Sequence, residues 1–496
     1  MSAGISIKTI TEPSREIRVI RDADVVVVGG GPGGIGSAIA AARSGAKTVL
    51  IERYDYLGGM ATGGLVNIIP NLSDITGKQH IYGLNQELLD RLDKRGGTSY
   101  PKKKDRGTDD RKAVEHYLDA NLGWFFVRHD HNTGKERVLY SAVVDPEILK
   151  DELNDMVLEA GVDLLLHSWG VQPVMEGNTA RGVIFESKSG RQAVLGRVVI
   201  DSTGDGDIFV AAGAEYDNEC DNNRRTAWLA LVWWMANVDL KKYDDFKSSQ
   251  PDKYRELMEE LGRLGGYPYF FKGVLKNHEG IVWYHCMQRQ PKRTDAMDVE
   301  QLTRIDVAAR KRALITYDFM KKHVPGFEKC FIMLTAPQLG TQGGRRIVGE
   351  YTLTEKDMET DEIFEDTIAV LANNDYGEIS SKHPTLCVPY RCLVPRSVDG
   401  LLVACRAFSS ADTINETFNI IPHCIAYGQA AGTAAALSVK AGIQPRKVDY
   451  KALRDNLVKQ GVNLPETAKS SAVPSSSVPE RPKSDYYQKY RAMDRQ

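Results

Sequence analysis

Residues 29–36, GGGPGGIG, place Gly31, Gly33 and Gly36 at G-x-G-x-x-G spacing directly behind four consecutive valines at 25–28. Glycines at that spacing make a tight turn, let backbone N–H groups approach a pyrophosphate, and let helix and strand pack closely. A helix of small residues over 37–43, ended by Gly45, offers unpaired N–H groups and a partial positive charge to the phosphates. The next strand, 47–51, leads to Glu52, 21 residues after Gly31, where a carboxylate accepts from ribose hydroxyls and disfavours a 2′-phosphate. Strand, turn, helix, strand and acid in register predict a dinucleotide site built on Gly29, Gly31, Pro32, Gly33, Gly34, Glu52 and Arg53.

A second glycine-rich segment, LGGMATGG at 57–64, follows where a nicotinamide dehydrogenase normally carries a helix. With the preceding ERYDY it resembles the FAD-dependent oxidoreductase family that has a GGMATGG loop after its first βαβ unit, within the glutathione-reductase and fumarate-reductase flavoprotein class. The resemblance implies that Gly59, Met60, Ala61 and Thr62 lie beneath a flavin. Further on, residues 198–207 (VVIDSTGDGD) run from a buried strand into a Thr-Gly-Asp turn similar to the family's ATGDGD segment. The resemblance places Thr203, Gly204 and Asp205 on the opposite side of the pyrophosphate and the Val171 backbone against the adenine. It extends through RRIVGEY (345–351), VPYRCLVP (388–395) and GQAAGTAA (428–435), and so covers most of residues 10–445. The family's small-residue helix, here with Gly428, Ala430 and Ala431, points its end at the isoalloxazine carbonyl edge and steadies negative charge on the reduced ring.

These segments imply flavin-mediated hydride transfer, so one side chain must manage a proton. His423, just before the small-residue helix, is the first candidate because imidazole titrates near neutral pH; fixing the helix N-terminus is an equally weighted role. The family usually has Thr there. Tyr390 and Arg391 are candidates to hold a substrate oxygen, and Arg345 is a similar candidate beside Arg346. Where relatives often have an arginine before their Met-Pro pair this chain has Asn419, which weakens the case for an anionic acid as substrate. No histidine falls within 56–67, where some fumarate-reductase relatives tether the cofactor, so FAD is expected to be non-covalent.

The elements that must position these residues predict an α/β chain. A Rossmann-like FAD-binding domain, a parallel sheet with an antiparallel excursion, is expected over 21–215 and 395–445, preceded by an arm at 1–20 that adds an edge strand. Residues 216–394 lack further βαβ punctuation, are rich in aromatics, and read as an α+β substrate domain with an antiparallel sheet. Residues 446–496 read as a helix and a mobile tail. Other expectations are a hairpin over 124–144, a helix from Asp145 to about 160, antiparallel strands over 170–195, a separate strand at 198–200, and a long helix over 300–323.

The 496 residues carry a net charge of −2, which gives no support for nucleic acid or an anionic membrane as partner. The longest apolar run, 228–238, is too short to span a bilayer, and a cytoplasmic protein is expected. Seven cysteines form no C-x-x-C pair, so neither a dithiol redox centre nor an iron–sulfur cluster is expected. His129 and His131 lack a third ligand, so no metal is expected. With one nucleotide fingerprint, donor and acceptor are expected to meet the flavin in turn. The expected activity is an FAD-dependent oxidoreductase that dehydrogenates a CH–OH or CH–CH unit of a small or medium organic molecule, or runs the reverse reduction. Two alternatives stay open at this point: a redox-neutral flavin-dependent hydratase or isomerase, and a non-enzymatic flavin-binding protein. The electron acceptor and any homo-oligomer are also open.

Overall fold

The four valines at 25–28 alternate between two cores, as the period of a strand requires. Val25 and Val27 face one and Val26 and Val28 the other, each at most 2% exposed. They end the strand Arg18–Val28, which lies inside a seven-stranded sheet. The computed structural model describes residues 9–120, 125–219, 228–288 and 295–466.

The sheet runs in the order Asp163–Leu165, Thr48–Ile51, Arg18–Val28, Gly190–Asp201, Thr179–Ser187, Trp169–Glu176. Gly190–Asp201 is its pivot. Its first half pairs antiparallel with Thr179–Ser187; its last three residues pair parallel with Leu401–Val403; and nearly its whole length pairs parallel with Arg18–Val28. The last strand of the antiparallel excursion and the buried strand before the Thr-Gly-Asp turn, expected as separate elements, are therefore one twelve-residue strand. The N-terminal arm also differs from expectation. Residues 18–20 extend an interior strand, with Arg18 against Gln192 and Val19 against Ala193, and the sheet edges fall elsewhere.

One face of the sheet is covered by Pro32–Arg43 and Ile421–Ala441, both rich in Ala and Gly. A Cβ on Gly428 would stand 2.1 Å from the Gly33 carbonyl oxygen, and one on Gly432 2.1 Å from that of Ser37. The helices thus meet backbone to backbone, which only glycine at these positions allows. Pro146–Glu159 begins as expected, the Asp145 carboxylate accepting from the N–H groups of Glu147 and Ile148.

A second, antiparallel sheet has the order Phe271–Lys272, Val282–Gln288, Leu229–Ala236, Phe331–Thr335, with Gly340–Thr341 also on Leu229–Ala236. The 25-residue helix Val299–His323 packs against it through residues such as Ala309 and Phe319, and Asp298 caps it. Arg111–Ala120, Leu240–Ser249, Pro251–Arg263 and Asp412–Phe418 are helices not anticipated above. The hairpin is shorter than expected, Val127–Asp130 with Lys135–Val138, and Ala142–Val144 pairs elsewhere. Trp124, Cys220 and the tail expected beyond 466 lie outside the described residues. No helix among the described residues is long and apolar enough to cross a membrane.

Candidate active site

The glycines of the first turn divide the labour unequally. Gly33 presses on the backbone, where a Cβ would stand 1.7 Å from the Ala404 carbonyl oxygen, and Gly36 is held likewise against Ile425. A Cβ on Gly31 would meet nothing within 4 Å, although Gly31 lines the main cavity. The open side of Gly31 and the uncapped first turn of Pro32–Arg43 therefore face the same space. A turn of this geometry can take a phosphate approached by backbone N–H groups.

That cavity, of about 1040 Å³, runs from the C-terminal ends of the first sheet's strands to the second sheet. At its first end Glu52 is buried. It accepts from Gly30 N at 2.5 Å and Tyr54 N at 2.8 Å, and burial raises its pKa against these backbone bonds. Arg53 lies over the rings of Tyr54 (4.7 Å) and Trp169 (5.7 Å). Trp169 is 54% exposed, on the cavity wall beside Gly170. An exposed tryptophan opening a strand was the missed signal here; Val171, two residues further, is not on the wall.

Gly59 and Met60 line the cavity, and Gly59 sits against Gly31, so the two glycine segments touch. Ala61 and Thr62 are buried behind them, the Thr62 hydroxyl donating to the Leu57 carbonyl at 2.6 Å. The Thr-Gly-Asp turn supplies Thr203, Gly204 and Asp205 to the wall. Asp201, fully buried, anchors that turn by accepting from the Thr203 N–H and hydroxyl and from the N–H groups of Ile208 and Phe209. Asp205 pairs with Arg406 at 2.7 Å, and Arg406 also donates to Thr341 of the second sheet at 2.5 Å. Arg406 thus ties both sides of the cavity together. Nothing in local spacing marked it. Asp207 also lines the cavity, and burial with the nearby carboxylates of Asp201 and Asp205 raises its pKa to about 6.

Several expected residues stand elsewhere. Gly34 faces the Gly29 backbone, while Gly428, Ala430 and Ala431 pack inside the helix interface, not on the wall. The first turn of their helix does reach the cavity, through Ile420, Ile421 and Cys424. Tyr390 is wholly buried and donates to the Pro445 carbonyl at 3.0 Å, away from the cavity. Arg391 is locked to buried Asp366 by side-chain bonds of 3.0 and 3.1 Å. These two are corrected from substrate ligands to framework residues, because their polar groups are consumed by distant chain. Arg345 braces the Thr-Gly-Asp turn, bonding the Asp205 carbonyl at 2.6 Å and Asp207 at 2.9 Å, and is corrected likewise.

His423 requires the largest correction. It is 0% exposed, stacks on Phe418 with 5.6 Å between ring centroids, and is not on the cavity wall. Burial drives its pKa down to about 3, against weaker opposing pulls from the Phe418 backbone and Asp375, so it stays neutral at working pH. The unfolded chain takes up this proton near the ordinary value of 6.5 and the folded chain only near 3, so stability must fall as pH drops through that window. The penalty approaches about 5 kcal/mol at the acid end. In His423→Phe, acid unfolding followed by circular dichroism is expected to begin at lower pH than in the parent.

The wall formed by the second sheet and neighbouring segments is aromatic. Phe125, Phe271 and Trp283 lie 5.3 to 6.4 Å apart by ring centroids, and His285 stacks on Trp283 at 4.9 Å. Among the described residues His285 is the imidazole on this wall.

A model of the family described as FAD dependent oxidoreductase matches residues 24–457. Mitochondrial dihydrolipoyl dehydrogenase of Cricetulus griseus is 48% identical over 63 residues, 13% of this chain and 12% of that protein. Soluble pyridine nucleotide transhydrogenase of Sodalis glossinidius is 46% identical over 41 residues, 8% of this chain and 9% of that protein. The chain therefore spans at most 12% of the length of these two curated relatives. Among solved structures, a geranylgeranyl bacteriochlorophyll reductase-like protein from Thermoplasma acidophilum aligns with TM-score 0.44 and 15% identity, covering 88% of this chain and 83% of that one. The p-nitrophenol 4-monooxygenase of Pseudomonas putida aligns with TM-score 0.43 and 12% identity, covering 88% and 84%. At those scores neither structural likeness carries an argument.

Proposed function

Because this chain belongs to the FAD dependent oxidoreductase family, with FAD as its cofactor, we propose that it moves a hydride between flavin N5 and a small or medium organic substrate. The reaction is dehydrogenation of a CH–OH or CH–CH unit, or its reverse. The observation that carries this reading is the single cavity joining the glycine turn to the aromatic wall.

When bound, FAD supplies the two-electron chemistry. The Gly31–Gly33 turn would hold the pyrophosphate with backbone N–H groups, and Glu52 would accept from ribose hydroxyls. Arg53, Tyr54 and Trp169 would cover the adenine, while Thr203–Asp205 and the turn at Ile420 would close the opposite side. The loop at 57–64 is read as the cofactor-facing loop of the glutathione-reductase and fumarate-reductase class. FAD is non-covalent in this proposal. The sheets suggest a nucleotide domain at 21–215 and 395–445 and a substrate domain at 216–394. A cytoplasmic location is proposed as well, supported by six free, buried cysteines among the described residues.

The proton-transfer role falls to His285, whose imidazole is on the cavity wall, and not to buried, neutral His423. The test is the visible flavin band of the purified holoenzyme, followed anaerobically while alcohols, ketones and enones are titrated. Bleaching by an alcohol or saturated compound, or reoxidation of reduced enzyme by an enone, supports the proposal. Turnover that needs FAD but leaves no net oxidation would replace it with redox-neutral catalysis. With a substrate in hand, His285→Asn is expected to lower kcat about 100-fold. His423→Phe should leave it near the parent value.

A further inference from the structure

Opposite charges are matched all along the part of the cavity built by the second sheet and its neighbours. Arg128, 8% exposed, reaches Asp375 at 3.1 Å. Asp306 pairs with Arg310 at 3.3 Å, and Asp205 with Arg406 at 2.7 Å. Among the described residues, every charged side chain on this part of the wall sits against an opposite charge. A carboxylate or phosphate brought here would lose its hydration and meet a guanidinium already neutralised by protein. A neutral polar group suffers much less.

The Arg128–Asp375 pair is also the best-braced polar feature facing this space. Asn71 donates to the other Asp375 oxygen at 3.0 Å, and Asn374 donates to Asn71 at 3.2 Å and to the Ser73 carbonyl at 2.8 Å. Asn71 holds a left-handed φ of 57° to do this. Arg128, Asp375 and Asn71 all line the cavity, and Phe125, three residues before Arg128, belongs to the aromatic wall. Flat apolar rings and one fixed, charge-neutral polar cluster therefore border the same space.

From this juxtaposition we propose that the substrate is a neutral, planar ring compound, held between the aromatic side chains with a carbonyl or hydroxyl oxygen accepting from Arg128. Asp375 and Asn71 are positioning residues: Asp375 orients the guanidinium and cancels its charge, and Asn71 fixes Asp375. The inference rests on the oxidoreductase reading for the word substrate, while the binding chemistry stands on the wall itself.

Naphthol and naphthoate share a ring system and differ at neutral pH in charge. Titrated into the holoenzyme, with tryptophan fluorescence and flavin-band perturbation as readouts, naphthol is expected to bind about tenfold or more tighter. Arg128→Gln leaves the Asp375 carboxylate uncancelled and should widen the preference for naphthol over naphthoate, while naphthol itself binds more weakly for want of the guanidinium. Asp375→Asn leaves the guanidinium charge uncancelled and should shift the preference towards naphthoate, which a merely structural role would not do. Preference for naphthoate in the parent, an unchanged ratio in Asp375→Asn, or binding of neither probe would overturn the proposal. None of these readings needs electron transfer, so absence of flavin bleaching with every compound would count against the hydride-transfer reading alone.

Discussion

Replacing Gly31 with leucine is expected to yield a folded protein that keeps no flavin. The Gly31 backbone is extended, with φ −71° and ψ −175°, a conformation any residue adopts, and its Cβ position is open. The new side chain therefore costs the apoprotein almost nothing and fills the space above the first turn of the glycine helix. Overpacking a formed site costs about 3 kcal/mol, roughly a hundredfold in affinity, and a four-carbon side chain at the pyrophosphate position should exceed it. The check is twofold. The purified variant should lack visible absorbance after FAD is added back, while its apoprotein melts within a degree or so of the parent apoprotein. A variant that retains FAD would move the cofactor off Gly31.

Gly428→Val is expected to fail in the opposite way, losing stability and cofactor together. Its Cβ would lie 2.1 Å from the Gly33 carbonyl oxygen and 2.9 Å from the Ser37 nitrogen, both backbone atoms of the glycine helix. Neither can step aside without prising the two helices apart beneath the sheet. A penalty of about 4 kcal/mol is expected, a drop in Tm of roughly 10 °C. Differential scanning calorimetry on the apoprotein separates the two cases: Gly31→Leu leaves the transition in place and Gly428→Val lowers it.

That contrast also shows which parts of the molecule were legible in its sequence. The first turn was, because everything it needs lies within a few dozen residues and each part has its own spacing rule. The small-residue helix was half legible: the run at 428–436 announces close packing, but the same composition serves a neighbouring helix or a ligand, and only its first turn reaches the cavity. Tyr390 and Arg391 misled because their partners, the Pro445 carbonyl and Asp366, are remote in sequence. His423 misled because its residue type suggests titration while its burial forbids it. The Arg128–Asp375–Asn71 cluster was invisible for a related reason. Three segments converge there, and no periodicity within any one of them records the meeting.

The pivot strand Gly190–Asp201 imposes an order of assembly. Val28, which leads into the glycine turn, is held against Asp201, and Asp201 in turn against Val403. A nascent chain emerging from the ribosome can pair these valines with Thr48–Ile51 early, yet it leaves their other edge open until residue 201 has been made and cannot complete the floor beneath its glycine turn until residue 403 arrives. Such distant pairings fold slowly and leave apolar strands open to wrong partners meanwhile. The protein should therefore depend on chaperones early in synthesis and acquire its cofactor only near the end.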